Sequence, residues 1–252
     1  MPRTDLKVTV KGTPVQAGFA LGSYAAFGPM GSTAMVMGDL VLLDREVNPV
    51  MSGLFAQGLT LAALHNHLND MSPHVMYMHY EGLGEAVGLA RALRMALAAS
   101  ATPLGGAAAK SAPATSPLDT KGIAQVLGHA GKIMPGGVFQ VSVPRKETIT
   151  ESGMVLLPAM GVAIALNFQP LGSGQAAVTG DFVLINREVT PVAQALRQNS
   201  IDVTALHNHA LADEPHLFYM HFWGTGDALT LARGLRAALD HTNSVRATPA
   251  AP

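Results

Sequence analysis

Apolar positions along the chain follow two periods. Residues 33–43 (TAMVMGDLVLL) and 175–185 are continuous, β-prone apolar runs and predict strands. Asn48-Pro49 and Thr190-Pro191 follow them and read as helix N-caps with proline in the first turn, opening helices that stop at Gly58 and near Asn199. TLAALHNH (60–67) and DVTALHNH (202–209) predict strands, SPHV and EPHL include turns, and VMYMHY and LFYMHF predict return strands, so each set makes a hairpin. Beyond Gly84 and Gly226 the period changes: Ala86, Leu89, Ala90, Leu93 and Leu97, and again Ala228, Leu231, Ala232, Leu235 and Leu239, trace one face of an amphipathic helix. Further strands are expected near 5–11 and 17–27.

The two sets are copies. Residues 38–97 and 180–239 align without a gap at an offset of 142 and share 30 identities in 60 positions, well beyond what like composition gives unrelated segments. Between them ATPLGGAAAKSAPATSPLDT, 101–120, is biased to Ala, Pro, Ser and Gly without apolar periodicity and predicts a flexible linker. The expected domains are therefore a first repeat over 1–100, the linker over 101–120, and a second repeat over 121–252. The second has a longer front, with a short helix over 122–131 and a strand over 137–144 that the first lacks. Since Pro2-Arg3 aligns with Pro144-Arg145, the first repeat is expected to be truncated at its front. The fold class follows as α+β: two tandem homologous domains, each a mostly antiparallel sheet covered by helices, packed as a pseudo-twofold dimer.

Composition narrows the chemistry. The 252 residues are 48% hydrophobic, which suffices for a sizeable core and excludes wholesale disorder. A net charge of −1, with only 13% charged residues, offers no field to attract nucleic acid. With no cysteine, disulfides, thiolate metal sites and cysteine nucleophiles are all excluded. No apolar run is long enough for a membrane span, and MPRTDLKVTV is too polar for a signal peptide.

Histidine carries the strongest chemical signal. Eight of the ten lie in the windows HNHLNDMSPHVMYMH and HNHALADEPHLFYMH. Strand alternation puts His65 and His67 on one face, and a hairpin return brings His79 opposite; His207, His209 and His221 repeat the arrangement. Each trio is a candidate metal site. His74 and His216, beside the turns, are possible further members. Neutral imidazoles without thiolate suit a divalent transition metal, zinc foremost, with copper, nickel or iron as alternatives, and leave a position for water or substrate. Glu46 or Asp39, with their second-copy partners Glu188 and Asp181, could complete the coordination or act as a general base, and Glu46 and Glu188 are the candidate catalytic residues.

Other features change the picture less. Arg45 and Arg187 read as surface partners of the adjacent glutamates. Of Met71, Met76 and Met78 near the first trio, only Met78 recurs, as Met220, so core filling explains them better than copper ligation. Trp223 stands where the first copy has Glu81, so the copies differ beside the site. The letters H-N-H do not make a nuclease motif, because they are contiguous on one strand and no basic surface accompanies them.

VMGDLVLLDREVNPVMSGL, TALHNH, PHLFYMHFWGTGDALTLARGLRAALDHT and PAMGVAIALNFQPLGSGQAAVTGDFVL together resemble domain-of-unknown-function family 1259, which includes the lipoproteins LppY and LpqO. The likeness covers both copies. It implies a bacterial, often exported protein (periplasmic or on the cell surface) carrying the domain twice, and it implies no biochemical role. Three functions fit these residues: a metal-dependent hydrolase or lyase acting on a small polar molecule, a non-catalytic metal-binding or metal-sensing module, and a metal-free ligand-binding or structural protein. The expected partners are a metal ion or a small molecule.

Overall fold

Short β-prone segments open the computed structural model, which describes residues 1–105 and 115–245. Strands β1 (Val8–Val10) and β2 (Thr13–Val15) form a hairpin whose turn, Lys11-Gly12, has φ of 48° and 79°, the left-handed pair that suits a tight two-residue connection. A single helical turn, α1 (Ala17–Ala20), occupies part of the stretch expected to be strand, and β3 (Tyr24–Met30) follows. The apolar run becomes β4 (Thr33–Leu43), buried at every position after Thr33.

Helix α2 (Asp44–Ala56) starts four residues before the expected cap at Asn48. Its first turn is secured by Glu46, whose Oε2 accepts from the Leu43 amide at 2.9 Å, so Pro49 sits inside the helix. Gly58, at φ 74°, lets the chain turn back. Then come β5 (Thr60–His65), β6 (Met71–Ser72), β7 (Val75–Gly84) and α3 (Ala86–Leu97), whose N-terminal amides at Val87 and Gly88 are capped by Glu85. The four longer strands make an antiparallel sheet in the order β3-β4-β7-β5, and β6 pairs with β1 instead of extending the β5–β7 hairpin.

The second repeat adds α4 (Thr120–Leu127), β8 (Gly131–Ile133) and β9 (Phe139–Pro144) at its front. It continues through β10 (Thr150–Glu151), β11 (Met154–Val155), β12 (Ala163–Gly172), β13 (Gln175–Leu184), α5 (Asn186–Gln198), β14 (Asp202–His207), β15 (Asp213–Glu214), β16 (Phe218–Asp227) and α6 (Ala228–Leu239). Its large sheet runs β14-β16-β13-β12-β9-β8, with antiparallel pairing throughout its described registers. The fold is α+β with two copies of one element order. Of the expected linker, 106–114 lies outside the described residues. Its two ends are anchored: Ala101 donates to Glu46 at 3.0 Å, and Leu118 is buried just before α4.

The chain divides into two compact units whose boundaries cut across the repeats. The first comprises described residues of 1–105 with 149–162 and 207–215; the second comprises 115–148, 163–206 and 216–245. In the first unit the pleat separates two faces. Val36, Leu40 and Leu42 of β4 and Met78 and Tyr80 of β7 meet Val47, Val50 and Leu54 of α2 and Leu89, Leu93 and Leu97 of α3 in one core cluster. The alternate positions, including Asp39, Tyr77 and His79, point to the opposite face. Gly38 permits close packing beside Asp39: a Cβ there would lie 2.2 Å from the Tyr24 carbonyl oxygen.

Candidate metal centre

Strand register builds the site. Asp39 of β4 stands directly opposite His79 of β7, and His65, the last residue of β5, is opposite Tyr77. In this register Ala63, not His65, stands opposite His79, and an irregularity follows between Leu61 and Ala63. His67 lies beyond the strand, so alternation does not orient it. It is held by stacking on Tyr77, with ring centroids 3.3 Å apart and planes within 10°. Even so, His65, His67 and His79 each present a ligand atom, and the three atoms lie within 4.8 Å of one another.

The donor set suits a transition metal. His65 Nδ1 is 3.0 Å from the Asn66 carbonyl, which can only accept, so the proton is on Nδ1 and Nε2 carries the lone pair. His207 repeats this with the Asn208 carbonyl at 3.0 Å. Asp39, itself buried, adjoins the trio, its Oδ2 3.3 Å from His67 Nε2 and 3.9 Å from His79 Nε2. His79 is 2% exposed. A carboxylate beside buried imidazoles favours a cation at this place.

Of the second repeat's candidate ligands, Asp181 and His221 belong to the second compact unit. His221 Nδ1 lies 2.9 Å from the Gly180 carbonyl and 2.9 Å from Asp181 Oδ1. His207 and His209 fall in the first compact unit, together with the first trio.

Four candidate residues stand apart. His74 pairs with Asp44 at 2.7 Å on the surface, both side chains about half exposed or more, and belongs to neither ligand group. His216 is exposed and packs edge-on against Phe218, also outside the groups. Glu46 and Glu188 are not free bases. Glu46 Oε2 accepts from Arg3 Nη1 at 2.8 Å and from the Leu43 amide, and Oε1 accepts from Arg3 Nη2 at 3.3 Å and from the Ala101 amide at 3.0 Å. Arg145 and the Ile185 and Asn243 amides hold Glu188 in the same way. With every carboxylate oxygen engaged, each glutamate locks a helix start to the Pro-Arg segment. Burial works to raise the Glu46 carboxyl, but Arg3 and the two amides hold it below its ordinary range.

One cluster has no single-sequence signature. Burial, reinforced by the carboxylates of Glu151 and Asp213, pushes the Glu81 carboxyl up to about 7. Glu151 and Asp213 are paired across β10 and β15, and both are buried. Only the alignment of Glu81 with Trp223 pointed to a difference here.

Among the described residues no helix is long and apolar enough to cross a membrane. No curated protein matches the chain. Among solved structures, a double-ringed trimeric shell protein from the RMM microcompartment matches over 85% of this chain and 86% of its own, at 11% identity and a TM-score of 0.21, too low to bear on the fold. The model of the family described as Domain of Unknown Function (DUF1259) matches residues 1–99 and again 121–241, and the chain belongs to that family in two tandem copies.

Proposed function

We propose that the protein binds divalent transition metal, zinc first, at His65, His67 and His79, with Asp39 as the adjoining carboxylate, and at His207 and His209 of the second repeat. The convergence of three imidazole ligand atoms within 4.8 Å, from the two arms of one hairpin, carries the reading. Two supports accompany it: the Nδ1-protonated tautomer of His65, which aims a lone pair away from its own backbone, and the absence of competing thiols, since the chain has no cysteine.

Bound zinc supplies a Lewis acid and lowers the pKa of a coordinated water. The chain's own part is to orient His65 through Asn66, to hold His67 against Tyr77, and to place Asp39 where it can accept a proton beside the histidines. Asp39 Oδ2 at 3.3 Å from His67 Nε2 is the observation that favours hydrolysis or elimination on a small polar substrate over simple metal storage.

Elemental analysis of untagged protein, followed by zinc titration of the chelator-treated chain, tests the binding. Two ions per chain are expected, and His67→Ala should remove one while leaving the far-ultraviolet circular dichroism unchanged. No metal after gentle purification and no uptake on titration overturns the reading.

A further inference from the structure

The histidines of the two repeats do not keep to separate places. His65, His67, His79, His207 and His209 all belong to the first compact unit. The His65 and His207 rings stack with centroids 3.4 Å apart and planes within 20°, and the His79 and His209 rings stack at 3.8 Å and 23°. The diagonal separation, His79 to His207, is 5.6 Å. Within each repeat His65 and His67 are 5.0 Å apart, and so are His207 and His209. The two stacked pairs, each with one ring from either repeat, are therefore closer than any of these neighbours within a repeat.

The backbone holds this pairing. Asn208, between the two second-repeat histidines, donates its side-chain amide to the Ala62 carbonyl at 3.2 Å and to the Ala210 carbonyl at 2.9 Å. Ala62 lies at the register irregularity of β5, two residues before Leu64 and three before His65. The irregularity thus presents a carbonyl that anchors the segment bearing His207 and His209.

We propose that the five imidazoles form one coupled two-ion centre, in which an ion on His65, His67 and His79 and an ion on His207 and His209 lie side by side. The inference rests on the metal-binding reading above. An ion sits about 2.0–2.1 Å beyond each ring nitrogen. With rings stacked at 3.4 Å, two such ions fall within roughly 10 Å of each other whichever way the nitrogens face. Ions this close interact through space, and at a separation of about 3.5–4 Å they share a bridging water or an oxygen of a small anionic substrate. The repeats are then two halves of one centre.

Copper(II) added alone to the chelator-treated full chain tests it by electron paramagnetic resonance in frozen solution. At two equivalents the spectrum should show spin coupling, with a half-field line and collapsed copper hyperfine structure. In His67→Ala, bound copper should fall from two to one per chain and the spectrum revert to an isolated ion; His67→Gln gives the same comparison with a smaller packing change. Two bound ions with an uncoupled spectrum overturn the shared centre and leave metal binding standing. A single ion per wild-type chain, ligated from both repeats, overturns the two-ion centre as well. No uptake by wild type overturns both readings.

Discussion

Arg3 illustrates how a single side chain can decide the role of another far along the chain. It is fully buried and joins Glu46 across 43 residues, where the sequence suggested only the adjacent Arg45 as a partner. Removing one member of a buried ion pair leaves an uncompensated charge, so Arg3→Met should cost about 3–5 kcal/mol in urea denaturation. Because the Glu46 carboxyl is held below its ordinary value, its contribution is present above about pH 4.5 and is lost as the pH falls from there through the lower folded value; Glu46→Gln should flatten that part of the stability profile. Glu81 has the opposite sign. With its carboxyl raised to about 7, the folded state holds the proton more tightly than the unfolded one, so stability is full below about pH 4.5 and falls as the pH rises toward 7. Thermal melts at pH 5 and pH 8 should differ less in Glu81→Gln than in the wild type. The histidines were legible because their spacing repeats; the ion pairs were not, because long-range pairing leaves no local pattern.

Elements followed the apolar periods closely and their boundaries less so. The amphipathic positions of α3 and α6 and the runs of β4 and β13 gave the sheet and its helices directly. The start of α2 was misplaced because Asn48-Pro49 has the composition of a cap, whereas Glu46, accepting from the Leu43 amide, lets the helix begin four residues earlier at Asp44. His67 was expected on a strand and instead follows one, so its position depends on Tyr77, a contact that periodicity does not show. At the end of α2, Gly58 has φ 74° and open space where a Cβ would be. Gly58→Ala is therefore strained by the backbone alone and should destabilise the chain by about 1 kcal/mol, measured as a lower denaturant midpoint with an unchanged slope.

At the scale of the molecule, duplication was plain in the sequence, but the distribution of its parts was not. The repeats also differ in what covers them. Arg236 on α6 donates to the Leu127 carbonyl of α4, and Ala232 is fully buried. The corresponding Ala90 and Arg94 on α3 are exposed, and beside them is an open apolar cleft of about 490 Å³ lined by Tyr24, Phe27, Leu93 and Leu97. β3 is an edge strand among the described residues, while its counterpart β12 pairs with β9.

The placement of 149–162 and 207–215 in the first compact unit bears on dilution. Two noncovalent partners separate when their concentration falls below their dissociation constant, whereas segments of one chain keep a fixed effective concentration, in the millimolar range for a short tether. A protease site introduced between residues 105 and 115 should therefore leave metal affinity unchanged at high protein concentration. Once the chain is cut, that affinity should weaken as the sample is diluted, while the uncut protein shows no such dependence.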